Sequence, residues 1–419
     1  MQRLTVRNRW EAICKAISNI PVKYLFGLFL LMAVAISIHS WYSSKDMPLE
    51  LSDWTRYNNF VIFKRSFFHL IHQQDLYLYY PCEYFDLYKY SPSFALWMGL
   101  FAWMPDLPAL ICWNLMNVAV FIIAVKVLPI KHKKLPVMLL FLAIDMMIAL
   151  TSSQINVLMA GVFILAWYCM ENKKIWLAAL LLVFTVYIKI FGIVAMSLFL
   201  LYPQRWKSAL YTIFWAAVIA VMPLVVVSWD QLMFLYKSWA HLLTHDYSVS
   251  YGVSVMGWWH TWFNLTFNKQ LFVLTAAVIF MLPFIPILYK KEKQYNLSML
   301  ASVLIWVVIF NHKGESPTYI IALTGVAIWY FTQDRPSGLD TALVVLTLVF
   351  TSFSSTDLIT PYWIAKNYVE PYAVKAVFCS IVWLKIVLEP FFVKQEVPAV
   401  SSDLSESIRL GHQKLEPTS

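Results

Sequence analysis

The sequence predicts an all-α polytopic membrane protein, and three observations lead there. Hydrophobic residues make up 60% of the 419 and charged residues only 13%, far from the balance of a soluble domain. Apolar runs separated by short Lys-rich clusters fill nearly the whole length, as successive helical spans require. The alternating ten-residue strands of a closed β-barrel do not appear. The net charge of +9 sits in the turns between apolar runs, where it orients a chain in the bilayer, so no nucleic-acid partner is expected. The five cysteines include no CxxC pair, and Cys112, Cys169 and Cys379 fall inside apolar runs as packing residues.

Taken in order, the first span is expected from about Tyr24 to Ser40. Arg3, Arg7, Arg9, Lys15 and Lys23 precede it and place the amino terminus in the cytoplasm. The long polar lead and the lack of a small-residue cleavage site make this run a retained anchor. An aromatic loop, Ser43 to Tyr90, follows. In its "FVIFKRSFFHLIHQQ" stretch, Phe60, Phe63, Phe67, Leu70 and Ile71 recur at helical spacing, which predicts an interfacial helix with Lys64 and Arg65 facing headgroups. The run Ser91 to Met104 is too short to cross and is expected to be re-entrant.

The basic turns Lys131 to Lys134, Glu171 to Lys174, Pro203 to Lys207 and Lys290 to Lys293 are placed inside. Between them the chain must go out and return, so the outer ends fall at "TSSQIN", at "YIKIFG", in the loop Trp229 to Gln270, and in "NHKGESP". The runs Ile175 to Ile188 and Ile190 to Tyr202 would give only about 20 Å of α-helix against a hydrocarbon core of about 30 Å. They imply a cavity or a thinned region. The total is about twelve crossings with helical outer loops, one membrane domain over residues 1–394, and a polar cytoplasmic tail over 395–419 expected to be disordered.

Polar groups gather at the outer ends. "SDWTRYNNF" brings Asp53, Arg56 and Tyr57 to the membrane surface just after the first span. Lys189 interrupts an apolar run, at a cost of roughly 2.5 to 3.5 kcal/mol unless it faces a cavity, a partner or the interface. It either binds an anion or snorkels. Gln154 and Asn156 either hold sugar hydroxyls through their amides or cap the helix that begins near Ile155. His312, Lys313 and Glu315 share an outer helix end, as a ligand-binding group or as a salt-bridged loop. Trp54, Tyr57, Trp258 and Trp259 either stack on sugar faces or belong to the interfacial aromatic belt. His241, His245 and His260, with Asp246, form the one other group of possible metal ligands, without a His-Glu-x-x-His pattern, and neither metal nor another cofactor is expected.

The ordered series "DWTRY" (Asp53, Tyr57), "DLY" (Asp75 to Tyr77), "YSP" (Tyr90 to Pro92), "SSQIN" (Gln154, Asn156), "YIKIFG" (Lys189) and "NHKGESPTY" (Asn311 to Tyr319) resembles glycosyltransferase family 87. "SSQIN" is similar to that family's Gly-Gln-x-Asn, with Ser153 in place of Gly, and "KIFG" to its Lys-x-x-Pro, with Gly192 in place of Pro. The whole resembles the branch from bacteria of the Bacteroides type more than the mycobacterial mannosyl- and arabinosyltransferases. The resemblance implies a GT-C bundle in the bacterial inner membrane with its active site on the periplasmic face. It implies a polyprenyl-phosphate sugar as donor, a glycan or glycolipid acceptor and a metal-independent hexosyl or pentosyl transfer.

The chemistry is consistent with one carboxylate. A polyprenyl phosphate is already an acceptable leaving group, so the enzyme needs only a base for the acceptor hydroxyl, and direct displacement inverts the anomeric centre. Asp53 is the expected base. Arg56 and Lys189 are the expected phosphate ligands, with Tyr57, Gln154, Asn156 and His312 as further substrate-binding residues. The rival reading is a secondary transporter of a small anionic or sugar-like solute, which also has many spans, half-length helices and an intramembrane lysine.

Overall fold

The computed structural model describes residues 16–45, 55–245, 251–288, 293–311, 314–356 and 359–392. Among these residues there is no β-strand. Asp53, Trp54, Asp246, His312, Lys313 and the tail from 395 lie outside the described residues. The chain begins with α1 (Val22–Lys45), α2 (Asn58–Ile71), the short pair α3 (Pro92–Trp97) and α4 (Gly99–Ala102), and α5 (Asp106–Lys126). It continues through α6 (Leu135–Thr151), α7 (Asn156–Glu171), α8 (Ile175–Ile188), a 3₁₀ helix (Ile190–Leu201), α9 (Arg205–Val221), α10 (Trp229–His245), α11 (Val255–Phe263) and α12 (Lys269–Met281). The last third holds α13 (Lys293–Ile309), α14 (Tyr319–Phe331), α15 (Gly338–Thr347) running into a π-helical turn (Leu348–Ser352), and α16 (Lys375–Phe392).

Among the described residues four segments are long and apolar enough to cross a membrane by length and composition: Val22–Ser44, Asp106–Lys126, Arg205–Val225 and Gly338–Ser355. Eight shorter apolar helices accompany them. At the centre lie α7 and α14, apolar and buried on nearly every side, as helices enclosed by other helices must be. Around them α5 and α8 pack on α7, and α6 and α13 pack on α14.

The basic turns within the described residues collect at one end. Glu171, at the close of α7, accepts from Tyr202 Oη (2.6 Å) and Asn296 Nδ2 (2.8 Å). Lys131 pairs with Asp334 at 2.7 Å, and Lys134 donates to the Gln333 carbonyl. Because α6, α7, α8 and α14 each run from this end to the other, residues 151–156, 189 and 314–319 meet at the opposite end.

Two elements differ from expectation. The segment Ile190–Leu201 winds as a 3₁₀ helix, which rises about 2.0 Å per residue and so covers roughly 24 Å, close to the length of the sixteen-residue α7. The tighter winding lets this short run join the two ends of the bundle. Gly192 lets the start of this helix pack closely against α8, since a Cβ there would lie 2.5 Å from Thr185 Oγ1. In α2, Phe60, Phe63 and Leu70 are buried inside the protein against Trp113 and the α3–α4 pair. Lys64 does not face headgroups: it bonds Asp106 Oδ1 at 2.7 Å and the Met104 carbonyl at 2.6 Å, and its side chain is 13% exposed. It satisfies the carbonyl end of the α3–α4 pair and the acidic start of α5, while Arg65 stays exposed.

Candidate functional site

The turn between α6 and α7 sets the site. Ser153 adopts φ 52°, a left-handed conformation that costs a non-glycine residue about 1 kcal/mol and that explains a glycine at this place in Gly-Gln-x-Asn. Neighbours hold the turn: Trp113 Nε1 donates to the Ser153 carbonyl at 2.9 Å, and Asn59 Nδ2 to the Ser152 carbonyl at 2.9 Å. The start of α2 is thereby docked two residues from Gln154.

From this turn a continuous polar chain crosses the end of the bundle. Lys189 sits in extended backbone between α8 and the 3₁₀ helix, and its ammonium donates to Asn156 Oδ1 at 2.8 Å. Asn156 Nδ2 donates to Gln154 Oε1 at 2.7 Å, and Gln154 Nε2 to Glu315 Oε2 at 2.8 Å. An ammonium can only donate and a carboxylate can only accept, so the two ends fix the orientation of both amides. Asn156 and Gln154 are 0% and 6% exposed, whereas Glu315 is exposed. Neither amide caps α7, whose N-cap residue is Ile155 with no side-chain cap bond. Among the described residues one of the three Lys189 ammonium donors is engaged in a hydrogen bond, and the ammonium lies 5.8 Å from the centre of the Phe191 ring.

Glu315 is placed by its neighbours. Val253 N donates to the Gly314 carbonyl (2.9 Å) and Tyr319 Oη to the Val253 carbonyl (3.0 Å). Gly314 is needed for that approach, since a Cβ would lie 2.8 Å from the Val253 oxygen. Tyr90, from "YSP", belongs to the same end: Ser91 N donates to the Tyr187 carbonyl at 3.3 Å. Burial pushes the Tyr90 phenol well above its ordinary range, and the Glu315 carboxylate adds to that. It stays a neutral donor.

The other expected residues scatter more widely. Arg56 is exposed in the turn before α2, its backbone N–H donating to Ser44 Oγ at 2.8 Å. Tyr57 is 5% exposed, and burial together with the Asp106 carboxylate pushes its phenol up to about 12. It therefore faces the Lys64–Asp106 pair rather than the polar chain. Asp75 is held structurally: both its oxygens accept from Ser238 Oγ (2.9 and 2.8 Å), and Oδ1 also accepts from Tyr77 N at 3.0 Å. Trp258 and Trp259 pack edge to face at 5.6 Å in an aromatic cluster beside the Val253 strap. His241 and His245 stack on each other while His260 Nδ1 donates to the Leu265 carbonyl. Among the described residues no three His, Cys, Asp or Glu side chains converge. Asn59 and Tyr90 join the site beyond the residues read from the sequence, and Glu315, read there together with His312 and Lys313, joins it through Gln154; Tyr90 and Glu315 stand inside the motifs YSP and NHKGESPTY, which was the available signal.

The family model of glycosyltransferase family 87 matches residues 88–355, a stretch that contains Tyr90, the Ser153 turn, Lys189 and Glu315. No curated protein matches the chain.

Proposed function

Because the chain belongs to glycosyltransferase family 87, we propose that it is a GT-C-type enzyme of about twelve crossings acting at the periplasmic face of the bacterial inner membrane. It moves a hexosyl or pentosyl unit from a polyprenyl-phosphate donor to a hydroxyl of a lipid-linked or cell-envelope glycan. Transfer inverts the anomeric centre and needs no metal.

The observation that supports this reading is the polar chain Lys189–Asn156–Gln154–Glu315, built at the end opposite the basic turns. The acceptor oxygen attacks the anomeric carbon as the bond to the phosphate oxygen breaks, and Asp53 takes the hydroxyl proton. The departing phosphate is anionic and lies at headgroup depth, where the ammonium of Lys189 and the guanidinium of Arg56 stabilise it. The second N–H of Gln154 and the exposed Glu315 carboxylate meet sugar hydroxyls, with Asn156 holding both Lys189 and Gln154 in place. His312 adds a donor from the late outer loop.

The test is a lipid-linked oligosaccharide profile of a strain lacking the protein. Accumulation of an intermediate one sugar short is expected and would name sugar and acceptor together. An unchanged profile, with loss of gradient-driven uptake of a sugar-like solute, would favour a transporter.

A further inference from the structure

A second polar group lies beneath the site, on residues that the reaction as drawn does not use. Asp145, in α6, is 1% exposed, and Lys375, at the start of α16, is 3% exposed. The ammonium lies 3.3 Å from Asp145 Oδ1, donates to Ser316 Oγ at 2.7 Å, and sits 5.1 Å from the centre of the Tyr319 ring. The π-helical turn Leu348–Ser352 completes the enclosure: Thr351 Oγ1 donates to the Lys375 carbonyl at 3.0 Å, and Ser352 lies beside Asp145. Asp145 Oδ2 and Ser352 Oγ are both buried with no close hydrogen bond among the described residues, although the Ser352 hydroxyl lies near enough to favour the carboxylate.

This is poor design for stability. Burying two opposite charges gains little over an apolar pair unless hydrogen bonds satisfy them closely, and here one carboxylate oxygen has only a loose contact with the Ser352 hydroxyl. Ionisable residues inside an apolar bundle mark function more often than packing, and single π turns are frequent near functional sites. The third partner shows where the function lies: Ser316 follows Glu315 directly in the chain, so whatever fixes Ser316 fixes the carboxylate end of the polar chain. Tyr319, under the same ammonium, holds the Val253 strap.

We propose that Asp145 and Lys375 are positioning residues: Asp145 fixes the Lys375 ammonium, the ammonium holds Ser316, and Glu315 is thereby set at hydrogen-bond distance from Gln154. The inference deepens the reading of that polar chain as the substrate site and rests on it. Removing one charge alone would leave the other buried and unpaired and could unfold the protein. The informative variants are therefore Asp145→Leu/Lys375→Met, which removes both charges, and Ser316→Ala, which keeps the pair and deletes only the link.

Each is made in the full chain and followed by amide hydrogen exchange over residues 314–319, with α14 as the internal reference. Each is also tested for restoring the oligosaccharide profile of the deletion strain. Exchange over 314–319 is expected to rise about five- to tenfold with α14 unchanged, and restoration to fall at least tenfold for the double variant at equal protein level. Unchanged exchange in both variants overturns the proposal. So does raised exchange with full restoration of the profile. If deletion itself leaves the profile unaltered, the transfer reading fails, and exchange alone decides whether the pair places the turn.

Discussion

Replacing Lys189 by glutamine or by methionine separates a phosphate-binding ammonium from a merely structural one. In the structure the ammonium serves one buried acceptor, Asn156 Oδ1 at 2.8 Å. Methionine removes that donor and leaves the oxygen unsatisfied in a residue that is 0% exposed, which costs about 1–3 kcal/mol of stability. Glutamine keeps a donor for Asn156 and should fold as well as the parent. Neither carries charge. If the ammonium binds the donor phosphate, each variant loses charge-assisted hydrogen bonds of about 1.5–3 kcal/mol, a roughly 10- to 150-fold rise in Kd. The assay is titration of purified protein with a short-chain polyprenyl phosphate, the leaving group shared by every donor of this class, alongside a thermal-stability measurement. The expected pattern is equal loss of binding in both variants and loss of stability in Lys189→Met alone. A folded Lys189→Gln protein that binds polyprenyl phosphate within twofold of the parent would refute the reasoning and make the lysine a structural strut.

Three further outcomes are expected. Asp53→Asn keeps the shape but removes the base, so the rate of sugar transfer should drop by about 10² to 10⁴. Asp75→Asn, which weakens the clamp on Ser238 and Tyr77, should lower stability by about 1 kcal/mol and spare turnover; the reverse pattern would mean the wrong carboxylate has been chosen. In a background without native cysteines, Arg56→Cys should react with an impermeant maleimide in spheroplasts and Lys173→Cys only after permeabilisation, and the opposite result would invert the topology. His69 is 3% exposed, and its burial lowers the imidazole pKa despite Glu83 at 3.1 Å, so the contact is a neutral hydrogen bond. Its folded pKa lies below the unfolded value of about 6.5, so its contribution is complete above that pH and is lost as pH falls toward the folded pKa. The melting temperature should therefore decline on acidification from pH 7.5 to 5, with a shallower decline in His69→Gln; an unchanged slope in that variant would show that the group does not titrate this way.

The sequence by itself determined the helical, membrane-type character, the break at Lys189, a run from Ser91 to Met104 too short to be a span, and the grouping of the described basic turns at one end. These follow from local quantities, hydropathy along the chain and charge in the turns, which act on each segment before it meets a partner. Even the strained Ser153 turn was marked by its departure from a glycine motif. Only the tertiary structure decided which polar groups meet. Lys189 and Asn156 are 33 positions apart, Gln154 and Glu315 161, and Asp145 and Lys375 230. A helix that is apolar on every side, as α7 and α14 are, has no amphipathic face to announce its rotation, so packing against neighbours settles which side chains point together. The same cause moved Lys64 from the expected headgroup layer onto Asp106 and the Met104 carbonyl: periodicity showed that α2 has an apolar face, and packing against the short α3–α4 pair determined that the face meets protein. The 3₁₀ winding of Ile190–Leu201 was likewise unreadable from composition, because the distance it must bridge is set by the two ends of the folded bundle.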